Sequence, residues 1–188
     1  MIDGNKNVEL IKAAKEGNLN KVIKLVQNGA DVNTKTDVGG TPLMYAVSNN
    51  EDTEVIAKLI ELGADVNAKD DDGFTPLMIA ASNNENPEVI ALLIEQGADV
   101  NAETDIGCTS FMIAVSNNEN WEVIAKLIEL GADIEAKNSG DWTPLMYAAR
   151  YNENPEIVTK LVELGADIEA KNNAGKTALD IAMEKNRD

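Results

Sequence analysis

The sequence predicts an all-α solenoid, in which short helix-turn-helix units stack on one another and carry projecting loops or hairpins. The first supporting observation is a fixed period, because the segment Gly-Ala-Asp recurs at every 34th residue. The second is a recurring helix start, Thr-Pro-Leu-Met, followed by apolar residues at helical spacing. A constant period of this length is the signature of stacked repeats. The Gly-Ala-Asp segments begin at Gly29, Gly63, Gly97, Gly131 and Gly165.

The repeat boundaries follow from the helix-start motif. Thr-Pro-Leu-Met begins at Thr41, Thr75 and Thr143, and the variant Thr-Ser-Phe-Met begins at Thr109. We therefore expect a single array over residues 1–188. Its predicted parts are an N-terminal capping repeat (1–40), four internal repeats (41–74, 75–108, 109–142 and 143–176) and an abbreviated C-terminal cap (177–188).

The sequence pattern of each repeat predicts two successive helices. Thr41 is the expected N-cap of the first helix, and a proline follows it at the first helical position. A polar stretch then interrupts the apolar pattern, and Asp52 is the expected N-cap of the second helix. Glu54 precedes Lys58 by four residues, which predicts an ion pair on that helix. Gly63 supplies a left-handed stop, after which an extended segment leads into a turn.

The repeated pattern Gly-x-Thr-Pro-Leu…Glu-Val-Ile…Gly-Ala-Asp-Val-Asn-Ala-Lys-Asp resembles the ankyrin repeat over almost the whole chain. Two features depart from the usual family pattern. The repeat is one residue longer, with the extra residue in the turn between the helices, and methionine replaces the histidine of Thr-Pro-Leu-His. The resemblance implies an ankyrin-repeat solenoid whose loop tips and first helices line a concave binding face.

Composition excludes several classes of function. The chain has 16 Lys and Arg against 33 Asp and Glu, a net charge of −17, which disfavours nucleic-acid and membrane-surface partners. It contains no histidine and a single cysteine, so we expect no enzyme activity, no metal site and no cofactor. Cys108 cannot form an internal disulfide, and no apolar run approaches the ~20 residues of a membrane span. A soluble, monomeric, cytoplasmic protein is expected.

Two groups of repeated residues are predicted to be structural. The aspartates of the Gly-Ala-Asp segments are expected to accept hydrogen bonds from nearby backbone N–H groups. The four methionines of the helix-start motif are expected in or near the core. These residues are Asp31, Asp65, Asp99, Asp133 and Asp167, and Met44, Met78, Met112 and Met146.

Differences between the repeats locate the candidate site. They cluster at the loop tips and along the first helices, where five of the seven aromatic residues and one of two arginines fall. Trp, Tyr and Arg are the residue types enriched in interface hot spots. An alternative is that Tyr45 and Tyr147 only fill the stack. Trp121 lies apart, at the opposite end of its repeat. The predicted partner-binding residues are Val38, Tyr45, Asp70, Asp71, Asp72, Phe74, Ile79, Ile106, Ile113, Trp142, Tyr147, Arg150 and Tyr151.

The sequence therefore predicts a protein-binding module that presents an acidic-rimmed aromatic groove to a partner with a basic patch. We expect Trp142 to lie near the Arg150–Tyr151 pair. Two alternatives remain open. The high similarity of the repeats and the short C-terminal copy are also typical of an engineered or consensus-derived scaffold. The acidity also suits an inhibitor or immunity-type protein that blocks a nucleic-acid-binding enzyme.

Overall fold

The computed structural model describes residues 3–50 and 52–185. Residues 1–2 and 186–188 of the predicted caps, and Glu51 in the first internal turn, lie outside the described residues. The described part contains eleven α-helices: α1 (Asp3–Lys15), α2 (Leu19–Gln27), α3 (Pro42–Asn49), α4 (Thr53–Glu61), α5 (Pro76–Asn83), α6 (Pro87–Glu95), α7 (Ser110–Asn117), α8 (Trp121–Glu129), α9 (Pro144–Tyr151), α10 (Pro155–Glu163) and α11 (Ala178–Lys185).

The helices stack as a solenoid in two rows. The first helices of successive repeats, α1, α3, α5, α7, α9 and α11, each pack against the next. The second helices α2, α4, α6 and α8 form a parallel row, and α10 packs against α9. The connections between repeats are turns, and the one strand-like pairing within residues 3–50 and 52–185 is an isolated antiparallel bridge between Glu103 and Thr109. The predicted all-α solenoid is confirmed.

The first helices begin as the sequence predicts. The Thr41 side chain accepts a hydrogen bond from the backbone N–H of Met44 at 3.3 Å, and its counterparts do the same. In the first two internal repeats the methionine Sδ reciprocates by accepting from the threonine N–H, at 3.4 Å for Met44 and 3.5 Å for Met78. The sulfur thus completes the helix cap as a weak acceptor. All four methionines are also buried, as predicted.

An asparagine follows each internal first helix and joins it to the preceding repeat, and it is buried in all but the first of them. Asn84 donates from Nδ2 to the backbone carbonyls of Val47 (2.8 Å) and Asn50 (2.9 Å), and Asn118 and Asn152 repeat this arrangement one and two repeats later. Asn50 begins the series with a bond to Ala14. These four residues form an asparagine ladder, and it runs through the turn that contains the repeat's extra residue.

A second set of asparagines joins the repeats beside the Gly-Ala-Asp segments. Asn67 donates to the Gly97 carbonyl at 2.9 Å and accepts from the Asp99 N–H at 3.0 Å, and Asn33 and Asn101 make the same pair of bonds. We call these three residues the asparagine clasps. The aspartates beside them form local turns as predicted, since Asp65 Oδ1 accepts from the Asn67 N–H at 2.9 Å.

One predicted ion pair is wrong. Lys58 bonds to Glu61 at 2.8 Å, one turn towards the helix C-terminus, rather than to Glu54. Glu54 lies in the first turn of α4, where a carboxylate is favoured by the helix dipole without a lysine partner. Lys126 likewise pairs with Glu129, three residues after it, whereas Lys160 pairs with Glu156, four residues before it.

The C-terminal end of the stack is less completely covered than its middle. Helix α11 packs against α9, and no described second helix follows it. Apolar side chains are exposed at this end, among them Ile168 and Leu179. None of the helices in the described ranges is long and apolar enough to span a membrane.

Asp141 occupies a backbone conformation that the other repeats give to glycine. Its φ is +57°, and the equivalent Gly39, Gly73, Gly107 and Gly175 have φ between +74° and +82°. We expect Asp141→Gly to raise the free energy of unfolding by about 0.5 kcal/mol, because relief of left-handed strain slightly exceeds the entropy that glycine adds to the unfolded chain. Urea denaturation measures the change.

The reverse substitution one repeat earlier is the control for this prediction. Gly107→Asp should be destabilising, because a Cβ at Gly107 would lie 3.1 Å from the Ser139 nitrogen in addition to the strain of φ +77°. A destabilised Asp141→Gly variant would contradict the strain argument.

Candidate functional site

The loop tips are held in register by polar side chains at one position of the repeat. Asp70 Oδ1 accepts hydrogen bonds from the N–H groups of Asp72 (3.0 Å) and Phe74 (2.8 Å). Thr36, Thr104, Asn138 and Asn172 make the corresponding bonds in the other loops. Backbone bonds also link neighbouring tips, as from the Ser139 N–H to the Ile106 carbonyl at 3.0 Å. The tips are therefore a regular scaffold for the variable side chains between them.

The tips and the first helices share one surface, which we call the loop-tip face: residues 36–40, 70–74, 104–108 and 138–142 with the adjoining sides of α3, α5, α7 and α9. One depression on this face, the central groove, has a volume of about 460 Å³. The loop tips of the first and second internal repeats form two sides, α7 forms the floor, and Tyr147 closes one end. The lining residues are Asp71, Asp72, Phe74, Thr104, Asp105, Ile106, Cys108, Met112, Ile113, Ser116, Asn117 and Tyr147.

The central groove combines an apolar interior with an acidic rim. Phe74, Cys108 and Ile113 line the interior, whereas Asp71 and Asp105 are exposed at the edge. Asp72 is exposed beside them, and no described lysine or arginine forms an ion pair with any of the three rim aspartates. A cationic group brought to this rim would meet carboxylates that have no competing partner in the described chain.

Three aromatic rings form a cluster beside the groove. The Trp142 and Tyr151 rings stack with centroids 6.3 Å apart and planes inclined by 26°. Tyr147 contacts both, with centroids 5.5 Å from Trp142 and 6.0 Å from Tyr151. The predicted proximity of Trp142 and Tyr151 is confirmed. Tyr151 is 51% exposed, so this aromatic cluster presents ring surface to solvent.

The hydroxyl of Tyr147 links the cluster to the central groove. It accepts a hydrogen bond from Asn138 Nδ2 at 2.8 Å and lies 3.0 Å from Cys108 Sγ. Burial, together with the contact to Cys108, raises the pKa of Tyr147 well above its ordinary value. The hydroxyl therefore stays protonated and neutral, and Tyr147 both packs within the stack and walls the groove.

A smaller depression, the first pocket, lies nearer the N-terminus on the same face and has a volume of about 180 Å³. Val38 and Tyr45 line it from one loop tip and the helix that follows it, and Asp70 and Ile79 line it from the next loop tip and helix. Gly40 also lines it, and a side chain at Gly40 would meet the Tyr45 ring at 3.0 Å. The glycine thus leaves room for the Tyr45 ring at the wall of the first pocket.

The structure thus distributes the predicted residues over three neighbouring places. The first pocket contains Val38, Tyr45, Asp70 and Ile79, the central groove contains Asp71, Asp72, Phe74, Ile106 and Ile113, and the aromatic cluster contains Trp142, Tyr147 and Tyr151. Arg150 is half-buried next to Tyr151 on α9.

Some of these residues are partly covered within the array. Ile113 is only 7% exposed, because Tyr147 and the loop tips enclose it, so it forms part of the groove's floor. Phe74 and Trp142 lie at loop tips and are half-buried.

Sequence reasoning did not include Asp105 or Cys108 among the candidate residues. Asp105 lies 34 residues after Asp71, so the period alone would have placed it on the rim. Cys108 is buried and carries no charge, and only the neighbouring Phe74 and Tyr147 reveal that its small side chain opens the groove. Trp121 lies on the far side of the repeat, at the start of α8, with Lys160 Nζ 4.8 Å from its ring centroid.

Comparison with known protein families decides the classification. A family model for ankyrin repeats, in three copies, matches residues 10–104 and 107–188. The chain belongs to the ankyrin-repeat family. Ankyrin repeats are generally protein–protein interaction modules and are typically non-catalytic. A comparison with curated proteins finds none that matches this ankyrin array.

Proposed function

We propose that this ankyrin array is a non-catalytic module that binds a protein partner through its loop-tip face. The central groove carries the proposal, because it joins a concave apolar surface to carboxylates that no described cation pairs with. Apolar burial supplies affinity in such an interface, and the rim charges steer a partner of opposite sign. The partner accordingly carries a basic patch, and the protein acts in the cytoplasm, where its free Cys108 stays reduced.

The aromatic cluster supports the same face as the place of contact. Large apolar side chains exposed together are typical of interaction sites, whereas single exposed ones are ordinary. Tyr151 is exposed against Trp142, and the next loop tip towards the N-terminus exposes Ile106 at 60%. An interface centred on this region would bury two aromatic rings next to Arg150, the residue types that dominate binding free energies.

Substitutions in the aromatic cluster test the proposal. A partner is first isolated by affinity capture on the intact protein, and its dissociation constant is then measured by titration. We expect Trp142→Ala and Tyr151→Ala each to weaken this complex by about 2 kcal/mol, roughly 30-fold, mainly through faster dissociation.

The array provides matched controls for these substitutions. Trp121→Ala removes an equally large ring from the opposite end of a repeat, and Glu95→Ala removes a charge from a second helix. Neither should change the affinity. If Trp121 or Glu95 matters as much as Trp142, the partner binds another surface and the proposal is wrong.

A further inference from the structure

One position of the repeat alternates between small and large side chains along the loop-tip face. It is occupied in turn by Gly40, Phe74, Cys108 and Trp142. The first pocket lies at Gly40 and the central groove at Cys108, and Phe74, on the loop between them, lines the central groove. The small residues of the two depressions are thus two repeats apart, and their floor residues, Ile79 and Ile113, are one repeat apart.

Each depression has an apolar floor and an aromatic wall. Ile79 and Ile113 occupy one position of the first helices and lie beneath the first pocket and the central groove, respectively. Tyr45 bounds the first pocket, and Tyr147 bounds the central groove. Each site is thus shaped to receive an apolar group rather than to form a continuous trough.

Negative charge lies between the two depressions. Asp71 and Asp72 belong to the loop that separates them, and both are exposed at the edge of the central groove. Asp70, in the same loop, lines the first pocket, but its Oδ1 already accepts two backbone hydrogen bonds. The two exposed carboxylates are therefore placed to meet a ligand's cations at the edge of the central groove, on the loop that the two pockets share.

The spacing of the pockets fixes the length of a ligand that fills both. Packed helices lie about 8–10 Å apart, so a separation of one to two repeats places the pockets roughly 10–20 Å apart. An extended chain advances about 3.3 Å per residue and covers that distance in roughly three to six residues. A helix advances only about 1.5 Å per residue and would need roughly seven to thirteen residues, so the spacing of the apolar side chains distinguishes an extended ligand from a helical one.

We propose that the loop-tip face binds an extended protein segment with two large apolar side chains three to six residues apart and lysine or arginine between them. The apolar side chains fill the first pocket and the central groove, and the cations face Asp71 and Asp72. This inference rests on the proposed function and specifies its ligand.

Selection from a random peptide library displayed on phage, with the full chain immobilised, tests this inference. We expect the enriched peptides to share two apolar residues at the stated spacing with basic residues between them. Their dissociation constants are then measured by calorimetry with synthetic copies. No enrichment, enrichment of acidic or single-anchor peptides, or a helical spacing of about seven to thirteen residues would overturn the inference.

Substitutions at one pocket and at the rim complete the test. Cys108→Phe places in the central groove the ring that the preceding repeat already accommodates at Phe74, and it should weaken the selected peptides at least tenfold. Trp121→Phe, on the far side of the repeat, is the control and should leave their affinity unchanged. The Asp71→Lys, Asp72→Lys double variant should also weaken binding at least tenfold, whereas Glu95→Lys should not.

The two proposals fail in different ways. Circular dichroism establishes that each variant is folded. If Cys108→Phe does not fold, the Asp71→Lys, Asp72→Lys double variant, whose substituted residues are exposed, tests the two-pocket inference instead. Peptides or partners that lose affinity on Trp142→Ala but not on filling Cys108 would overturn the two-pocket inference and leave the proposed function standing. Binding that survives every change on the loop-tip face would overturn both.

Discussion

Leu127→Ala is expected to lower the free energy of unfolding by about 2–5 kcal/mol, among the largest losses for a single truncation in this array. Leu127 is fully buried on α8, and this helix packs against both α6 and α7. Neighbours on two sides hold the surrounding side chains in place, so the cavity left by the leucine cannot collapse fully. Urea denaturation monitored by circular dichroism measures the loss.

Leu179→Ala is the matched control, because the same side chain is truncated at the end of the stack. Leu179 is 68% exposed on α11, so little apolar surface is lost from the interior and no closed cavity forms. In a solenoid each repeat contacts only its neighbours, and an end position has fewer of them. Equal losses at Leu127 and Leu179 would contradict the stacked-repeat account of stability.

Asn118→Ala is expected to cost about 3 kcal/mol, an unusual loss for a polar residue. Asn118 is buried, and its side chain donates to the carbonyls of Ala81 (3.1 Å) and Asn84 (3.0 Å) and accepts from the Asn120 N–H (2.9 Å). Alanine leaves these backbone groups without the amide that joins the second and third internal repeats. The penalty of a buried unpaired polar group exceeds the net value of the bond itself.

The preceding residue provides the control for this substitution. Asn117 is exposed and donates one bond, from Nδ2 to Ser82 Oγ at 3.1 Å. Asn117→Ala should change the stability by less than about 0.5 kcal/mol. Similar losses from the two variants, compared in the same denaturation assay, would show that the asparagine ladder does not carry the coupling assigned to it.

Helix positions were predictable because the signals are local. Thr41 and Asp52 cap their helices through bonds to residues two or three positions later, so sequence spacing alone contains the geometry. The asparagine ladder was not predictable in this way. Asn84 looks like an ordinary turn residue in sequence, and its partners Val47 and Asn50 lie 37 and 34 residues before it.

The sequence predicted where the candidate site lies but not the shape of its surface. Variation between repeats located the loop tips and first helices, and the contact between Trp142 and Tyr151 followed from the repeat geometry. The depressions lie beside small residues, Gly40 and Cys108. The residue types enriched in interface hot spots are large, so a search for those types does not find small residues that leave space. The burial of Ile113 likewise depends on Tyr147 from the next repeat.

The asparagine ladder and the asparagine clasps bind mainly to backbone groups of the adjoining repeat, and this makes the repeats interchangeable. A carbonyl or N–H group is present whatever side chain the neighbour carries. An in-frame duplication of a whole 34-residue unit would therefore preserve both sets of bonds on each side of the insertion. Duplication of a unit with a small residue at the Cys108 position would add a depression, and one with an aromatic residue would add a ridge. The binding surface of this array can thus grow and diversify by recombination without redesign of the contacts that hold the stack together.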